Sequence, residues 1–257
     1  LTKTVEIKGA HIKQPLKIAF VSDIQVGNHK KEAWVEKIVE KIISQNPDLV
    51  ILGGDLIDNE GNTQDETQHL EPLQKITKKY PTFYVLGNHE YGLGTPDLGK
   101  SNLGTGNRSE LLIKRMKNIN AVFLKNNLVC LNIAQQDLCL FGIDDIWGGK
   151  PNFSELKNLP SETPLIFITH NPDGMLSYPD IFRKPMLVLA GHTHGGQVNV
   201  PFINFYGNAD IVLPKKFYRG LNYWQNIPIY TSIGTGESGG QIRLLAIPEI
   251  VILNLAP

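Results

Sequence analysis

One pattern recurs along the chain: a short, unbroken apolar run stops abruptly at a polar or glycine-containing turn. Lys17–Val21 leads into Ser22-Asp23, Leu49–Leu52 into Gly53-Gly54-Asp55, and Thr82–Leu86 into Gly87-Asn88-His89-Glu90. Further on, Leu165–Thr169 leads into His170-Asn171, and Met186–Ala190 into Gly191-His192-Thr193-His194. Apolar runs of about five residues without polar alternation suit strands buried on both faces. Between the first two runs, Trp34, Val35, Ile38, Val39, Ile42 and Ile43 recur at three- and four-residue steps. That spacing predicts an amphipathic helix over Lys31–Ser44. A second helix is expected from about Glu71-Pro72, since proline is tolerated in a first helical turn, with Leu73 and Ile76 turned inward. A third is expected over Ser109–Lys117.

Strand–helix–strand alternation implies a largely parallel sheet with helices on its faces. The C-terminal portion reads differently. Ile227–Ser232, Gln241–Ala246 and Glu249–Leu255 look like successive strands with no room for helices between them. A second sheet packed on the first is therefore expected. There is no internal repeat, low-complexity tract or Pro/Ser-rich linker, so residues 1–257 are read as one domain.

Charge and composition narrow the picture only a little. Lys plus Arg and Asp plus Glu number 25 each, so no global field argues for nucleic acid or for an anionic membrane surface. No run approaches the ~18 apolar residues of a membrane span, and no signal-peptide pattern is visible. The two cysteines, Cys130 and Cys139, lie in adjacent apolar runs. If those runs form a hairpin turning at Ala134-Gln135, the cysteines face each other and a cross-strand disulfide is conceivable. The favoured reading is a pair of reduced thiols packed as small hydrophobes.

The chemistry lies at the ends of the apolar runs. In open α/β sheets the ligand site sits at the carboxyl ends of the strands. Here those ends carry Asp23, Asp55, Asn88, His170, His192 and His194. Each alone reads as a turn, a cap or a surface residue. Two imidazoles two residues apart and flanked by glycines have few structural uses, and the joint occurrence decides the matter. Carboxylate, amide oxygen and imidazole together suit Mn, Fe, Zn or Mg better than a thiolate-seeking ion. The neighbouring glycines permit tight turns and close backbone approach.

In this order the residues resemble the calcineurin-like metallophosphoesterase superfamily. Its pattern is Asp-x-His, Gly-Asp, Gly-Asn-His-Asp/Glu, His and Gly-His-x-His. Here it stands as Asp23-Ile24-Gln25, Gly54-Asp55, Gly87-Asn88-His89-Glu90, His170 and Gly191-His192-Thr193-His194. Gly142-Ile143-Asp144-Asp145, Gly195-Gly196-Gln197 and the tail from Tyr230 to Leu255 are similar to its bacterial membrane- or envelope-associated branch, which includes UDP-2,3-diacylglucosamine hydrolases. The resemblance implies an α/β fold of two packed mixed β-sheets flanked by helices, a four-layer α/β/β/α sandwich. It also implies two divalent ions, manganese first, with zinc, iron or magnesium as alternatives. Asp55 would bridge them. Asp23 and His194, with Gln25, would complete one site, and Asn88, His170 and His192 the other. Metal-bound hydroxide would attack a phosphodiester or pyrophosphate, with His89 beside the scissile phosphate as the catalytic group. Glu90 and Asp144 would orient imidazoles from behind.

The departure from the pattern is Gln25, where the family usually has histidine. Its amide oxygen is a weaker neutral ligand than imidazole. Three outcomes stay open: Gln25 ligates through oxygen, holds a bound water, or leaves the first site weak and metal-selective. A phosphomonoesterase and a degenerate metal- or phospholipid-binding relative are the alternatives to a diesterase.

Substrate clues are thinner. Residues 91–107 hold Gly92, Gly94, Gly99, Gly104 and Gly106, which fits a mobile lid or a plain surface turn. Residues 202–224 collect Phe202, Phe205, Tyr206, Lys215, Lys216, Phe217, Tyr218, Arg219, Tyr223 and Trp224. Aromatics among cations suit a lipid-linked or nucleotide phosphate, or contact with a membrane surface; a loop packing its rings on the domain fits equally. The expected partner is a small-molecule or lipid phosphoester and not nucleic acid, at a bacterial cell envelope or peripheral membrane. His11, His29 and His69 fall outside the pattern and are read as surface or structural residues.

Overall fold

The computed structural model describes residues 1–8, 12–60, 64–94, 106–200, 205–206 (backbone alone) and 211–257. Residues 95–105 of the glycine-rich segment, His11 and Phe202 lie outside that set, as do the side chains of Phe205 and Tyr206.

Two six-stranded mixed sheets carry the fold. The strands of the first are β1 (Thr2–Lys8), β2 (Leu16–Val21), β3 (Leu49–Gly53), β4 (Thr82–Val85), β5 (Val122–Phe123) and β14 (Ile250–Ala256). Their order is β1-β14-β2-β3-β4-β5. The second sheet uses β6 (Asn127–Ile133), β7 (Gln136–Gly142), β8 (Leu165–Ile168), β9 (Leu187–Ala190), β12 (Gly220–Trp224) and β13 (Ile227–Thr231), in the order β12-β13-β9-β8-β7-β6. A small ribbon pairs β10 (Asn199–Val200) with β11 (Phe205–Tyr206). Within each sheet four consecutive strands run parallel: β2, β3, β4 and β5 in one, β13, β9, β8 and β7 in the other.

The unbroken apolar runs are explained by the layering. Alternate side chains of one strand serve different cores because successive residues point to opposite faces. From β2, Ala19 and Val21 join Val35, Ile38, Val39 and Ile42 of helix α1 (Glu32–Gln45). Ile18 and Phe20 point the other way, against Leu138, Leu140, Ile166, Ile168, Leu187 and Leu189 of the second sheet. From β8, Leu165 and Phe167 face outward into a third core with Leu156, Met175, Tyr178 and Phe217. Helix α1, helix α2 (Gln74–Thr77) and helix α3 (Ser109–Asn118) cover the first sheet. Short 3₁₀ turns at Ser154–Asn158, Pro172–Ser177 and Lys215–Tyr218 cover the second. No helix among the described residues is long and apolar enough to cross a membrane.

Several expectations change. The second helix begins earlier: a 3₁₀ stretch over Glu66–Leu73 contains Pro72 and precedes the single turn of α2, started by Asp65 accepting the Thr67 N–H. Leu73 and Ile76 are buried as expected. Gln241–Ala246 is not a strand; it makes only the isolated bridge Val198↔Leu244. The final strand β14 does not extend the second sheet but inserts between β1 and β2 of the first, its Val251 and Leu253 entering the core between the sheets.

The cysteines are also corrected. Cys130 and Cys139 are disulfide-bonded. The turn at Ala134-Gln135, both at positive φ, fixes the β6–β7 register so that the two cysteines are direct partners on one face. Two thiols so placed are neighbours by construction.

Candidate metal centre

Because the parallel strands share one direction, their C-terminal turns meet at one rim. Five of the residues there stand in the left-handed backbone region: Asp23 (φ 51), Gln25 (φ 53), Asp55 (φ 50), His192 (φ 71) and His194 (φ 49). Non-glycine residues rarely adopt it, and such strain concentrates at functional sites. The surrounding sheets over-determine these turns through Asp23 N–H to Gly54 O (2.9 Å), Gln25 N–H to Asp55 O (3.1 Å) and Gly191 N–H to His170 O (2.8 Å).

The turns bring two groups of ligating atoms together. Asp55, His170 and His192 form one, Asp23, Asp55 and His194 the other, with the atoms of each within 4.8 Å of one another. Asp55 belongs to both. Asn88 adjoins the first group, its Oδ1 lying 2.9 Å from His192 Nδ1. Gln25 adjoins the shared carboxylate, its Nε2 lying 3.3 Å from Asp55 Oδ2. His194 Nε2 lies 3.6 Å from Asp23 Oδ1.

Hydrogen bonding shows what these atoms await. The Nδ1–H of His170 donates to Gly53 O at 2.7 Å, which leaves the Nε2 lone pair aimed at Asp55 Oδ2, 3.0 Å away. That Nε2 is buried and makes no well-formed hydrogen bond, and neither does Gln25 Oε1. A ring lone pair facing a carboxylate needs a cation between them. Without a metal ion a proton takes that place. Burial disfavours the charged His170, but Asp55, Asp23 and Asp145 outweigh it and push its pKa up to about 10. Asp55 is held below the usual carboxylate range: burial opposes ionisation, and His170 and His89 overcome it. Burial raises Asp23 to about 6. Burial, aided by the Arg243 guanidinium, pushes His194 well below its ordinary value and keeps it neutral. The donor set thus fits two divalent ions sharing Asp55.

His89 stands apart from both groups. Its Nδ1 lies 2.6 Å from Asp58 O, so Nε2 faces the centre, 3.9 Å from Asp55 Oδ2 and 3.2 Å from Ser238 Oγ. Its backbone N–H donates to Asp55 Oδ1 at 3.0 Å.

Glu90 and Asp144 act on backbone. Glu90 accepts from the N–H groups of Asp55 (3.0 Å), Leu56 (2.7 Å), Ile57 (3.2 Å) and Gly87 (2.7 Å). It thereby locks together the two turns that carry Asp55 and Asn88. Asp144 accepts from Asp145 N–H (3.1 Å), Lys150 N–H (2.8 Å) and the Tyr91 hydroxyl. It shapes the loop that sets Trp147 edge-on against His192, with ring centres 4.6 Å apart. The expected support of imidazoles by these carboxylates is replaced by support of the turns around them.

Other contributors come from far along the chain. Ser238 reaches His89, and Gly236 O lies 3.2 Å from His194 Nδ1. The buried Arg243 bonds Gly236 O, Ile233 O (2.9 Å) and Ala246 O (3.0 Å), and its Nη2 lies 3.2 Å from His194 Nδ1. No local motif announces these residues. The runs of glycine and the lone arginine in Ile233–Ala246 are their only trace in the sequence.

Close approach requires glycine at several positions of the centre, Gly87 and Gly191 among them. A Cβ at Gly87 would lie 2.2 Å from Asp55 Oδ1 and 2.7 Å from the His170 ring; one at Gly191 would lie 2.6 Å from Asp23 Oδ2. Overpacking of this kind costs about 1–3 kcal/mol. In Gly87→Ala the carboxylate must move, so metal affinity is expected to fall about 10–100-fold, the range seen when support of a ligand is lost. Calorimetric titration with Mn²⁺ measures this, and unchanged affinity would refute the packing argument.

The sequence model of the calcineurin-like phosphoesterases matches residues 16–196. An uncharacterized metallophosphoesterase of Campylobacter jejuni is 32% identical, over 98% of this chain and 62% of its own length. The phosphodiesterase YaeI of Escherichia coli is 31% identical, over 94% of this chain and 82% of its own. The chain therefore spans about three fifths of the length of the Campylobacter relative, and 60% of the Helicobacter pylori ones it matches. Among solved structures, a 5′-nucleotidase precursor of Thermus thermophilus shares the fold with a TM-score of 0.51 and 11% identity, over 94% of this chain and 54% of that one.

Proposed function

The chain belongs to the calcineurin-like phosphoesterase family, and on that premise we propose that it is a metal-dependent phosphoesterase cleaving a phosphodiester or pyrophosphate with two divalent ions. One observation carries the reading: two groups of ligand-type side chains, buried except for the half-buried His192, share Asp55, and His89 is held beside them without belonging to either. Similarity to a relative named as a phosphodiesterase supports diester over monoester chemistry. A lipid-linked substrate of the bacterial envelope, of the UDP-diacylglucosamine type, is the class we propose within that chemistry. Manganese is the first ion to test, with zinc, iron and magnesium beside it.

Asp23, His194 and Gln25 would hold one ion, and Asn88, His170 and His192 the other, with Asp55 between. Bound there, the ions would supply Lewis acidity to the phosphoryl oxygens and a lowered pKa to attacking water. The protein's own groups do the remainder. Glu90 fixes the turns so that Asp55 and Asn88 keep their positions. Asp58 O orients the His89 ring so that Nε2 can deliver a proton to the departing oxygen.

The test is metal content measured together with hydrolysis of a chromogenic phosphodiester and of the matching monoester, after loading with Mn, Zn, Fe or Mg. Two ions per chain with faster diester turnover is the expected result. Preferential monoester cleavage would overturn the diesterase reading, and turnover without metal would overturn the whole.

Gln25 gives a second prediction. Its side chain lies against Asp55, and Oε1 is buried without a hydrogen-bond partner, which supports the reading that it ligates as a neutral amide. Gln25→His supplies a stronger donor, and affinity for the more weakly bound ion is expected to rise about 10-fold or more. Two-site metal titration of both proteins decides it. Equal affinities would show that position 25 is not a ligand.

A further inference from the structure

Segment 242–247 links the centre to an unusual surface. It follows closely on Gly236 and Ser238, which touch His194 and His89. Four of its six residues are apolar and largely in solvent: Ile242 66%, Leu244 43%, Leu245 58% and Ile247 63% exposed. Scattered exposed hydrophobes need no explanation; a contiguous set does. The backbone holds them there at a cost. Leu245 sits at φ 54, a region that bulky side chains avoid. Its carbonyl is pinned by Arg219 Nη1 at 3.1 Å and Asn199 Nδ2 at 3.4 Å, and the neighbouring Ala246 O by Arg243. Ser238 and Ile242 are four residues apart, at most ~14 Å of chain. The apolar rim therefore stands beside the centre.

Charge accompanies it. Residues 211–219 and 242–247 together contain Lys215, Lys216, Arg219 and Arg243 and no carboxylate, in a protein whose charges cancel over the whole chain; Arg243 is turned inward and paired with Glu237, so the outward charge is that of the other three. Lys215, Lys216 and Arg219 are exposed, and Arg219 touches the apolar segment itself.

We propose that this rim docks on the surface of an anionic lipid bilayer, with Ile242, Leu244, Leu245 and Ile247 entering the interface and Lys215, Lys216 and Arg219 meeting its phosphates. Interfacial binding strength comes from buried apolar area together with attraction to anionic lipid, and the rim offers both. A second copy of this chain is disfavoured as occupant, because an isologous contact would set the cations of the patch against themselves. The inference rests on the phosphoesterase reading for its purpose: a docked rim would present a bilayer-borne phosphoester to the centre without extracting it.

The experiment is sedimentation with vesicles of phosphatidylcholine alone and of phosphatidylcholine with phosphatidylglycerol, for the wild type and for Ile242→Ser/Leu244→Ser/Leu245→Ser/Ile247→Ser. The wild type is expected to co-sediment with the anionic vesicles, less so as salt rises, and the variant to partition at least tenfold more weakly. A second variant, Lys215→Glu/Lys216→Glu, leaves the apolar rim intact and is expected to lose the preference for anionic vesicles. Hydrolysis of a soluble chromogenic diester is expected to be unchanged in both. Equal partitioning of all three proteins, or a wild type that stays in the supernatant, would overturn the proposal. So would a concentration-dependent wild-type dimer that the serine variant abolishes, since the occupant would then be a second copy. Absence of diester hydrolysis in every protein would instead sink the enzyme reading and leave the vesicle result to stand alone.

Discussion

Asp55→Asn is expected to remove both ions and essentially all turnover while leaving the fold intact. The substitution keeps the shape of the side chain and an oxygen to accept the His89 N–H, so the hydrogen bond of 3.0 Å can persist. What it removes is the charge that both ligand groups share. The loss reaches further than one ligand. Asp55 is held ionised against its burial chiefly by His170 and His89, and it raises the pKa of both in return. Without it His170 becomes a buried neutral ring facing an amide, and neither group retains the negative charge that concentrates a divalent ion. Lewis-acid stabilisation of a transferring phosphoryl group is worth several kcal/mol. At about 1.36 kcal/mol per tenfold, its loss lowers turnover on the order of 10³–10⁵-fold. Ion content by mass spectrometry is expected to fall from two per chain toward none, with unchanged far-ultraviolet circular dichroism. Retention of both ions, or of more than a tenth of the turnover, would show that Asp55 is not the shared ligand.

That the residues of the candidate site gather at one rim was legible in the sequence because the physics is local. A parallel strand buried on both faces must be an apolar run, and the turn that ends it is where polar chemistry can begin; Asp23, Asp55, Asn88, His170, His192 and His194 all stand at such ends. Helix α1 was legible because one apolar stripe of Val35, Ile38, Val39 and Ile42 meets one core. What was missed depends on contacts between distant parts of the chain. The strand β1, alternately polar and largely exposed, carries no run of its own and is defined by pairing with β14, some 248 residues away. Whether β14 adds to the first or the second sheet is decided by the neighbours it finds, because Val251 and Leu253 fit a core that either sheet can face. The segment Gln241–Ala246 has strand-like composition, yet Ile242 and Leu244 face solvent there, and Arg243 turns back to bond Ile233 O and Ala246 O. The roles of Glu90 and Ser238 were illegible for the same reason. A carboxylate in Gly-Asn-His-Glu can serve an imidazole or a backbone, and only the approach of the Asp55 turn shows that it binds four N–H groups.

His89→Ala separates chemistry from metal binding, and it is expected to keep two ions per chain while losing about 10²–10⁴-fold in turnover, the usual contribution of a positioned proton donor. The geometry motivates the separation. His89 lies outside both ligand groups, and its Nδ1 is committed to Asp58 O, so only Nε2 can act. Burial disfavours the imidazolium, but Asp55, Asp58 O and Glu90 raise its pKa above the ordinary value. The upward direction favours the protonated ring, and the proton is lost as pH rises through the folded-state value. If Nε2–H serves the departing oxygen, turnover therefore has an alkaline limb that belongs to His89, and that limb is expected to vanish in the variant. Leaving groups sharpen the test. A good one, such as a nitrophenolate, departs without a proton; an alkoxide does not. The variant is thus expected to lose far less on a nitrophenyl diester than on an alkyl diester, and a plot of rate against leaving-group pKa steepens. Ser238 touches the same Nε2, so Ser238→Ala gives a control: its smaller loss should leave the leaving-group dependence unchanged if the serine only positions the ring. Full turnover of alkyl diesters by metal-loaded His89→Ala, or an unaltered alkaline limb, would remove His89 from the reaction and require the metal ions alone to stabilise the departing oxygen.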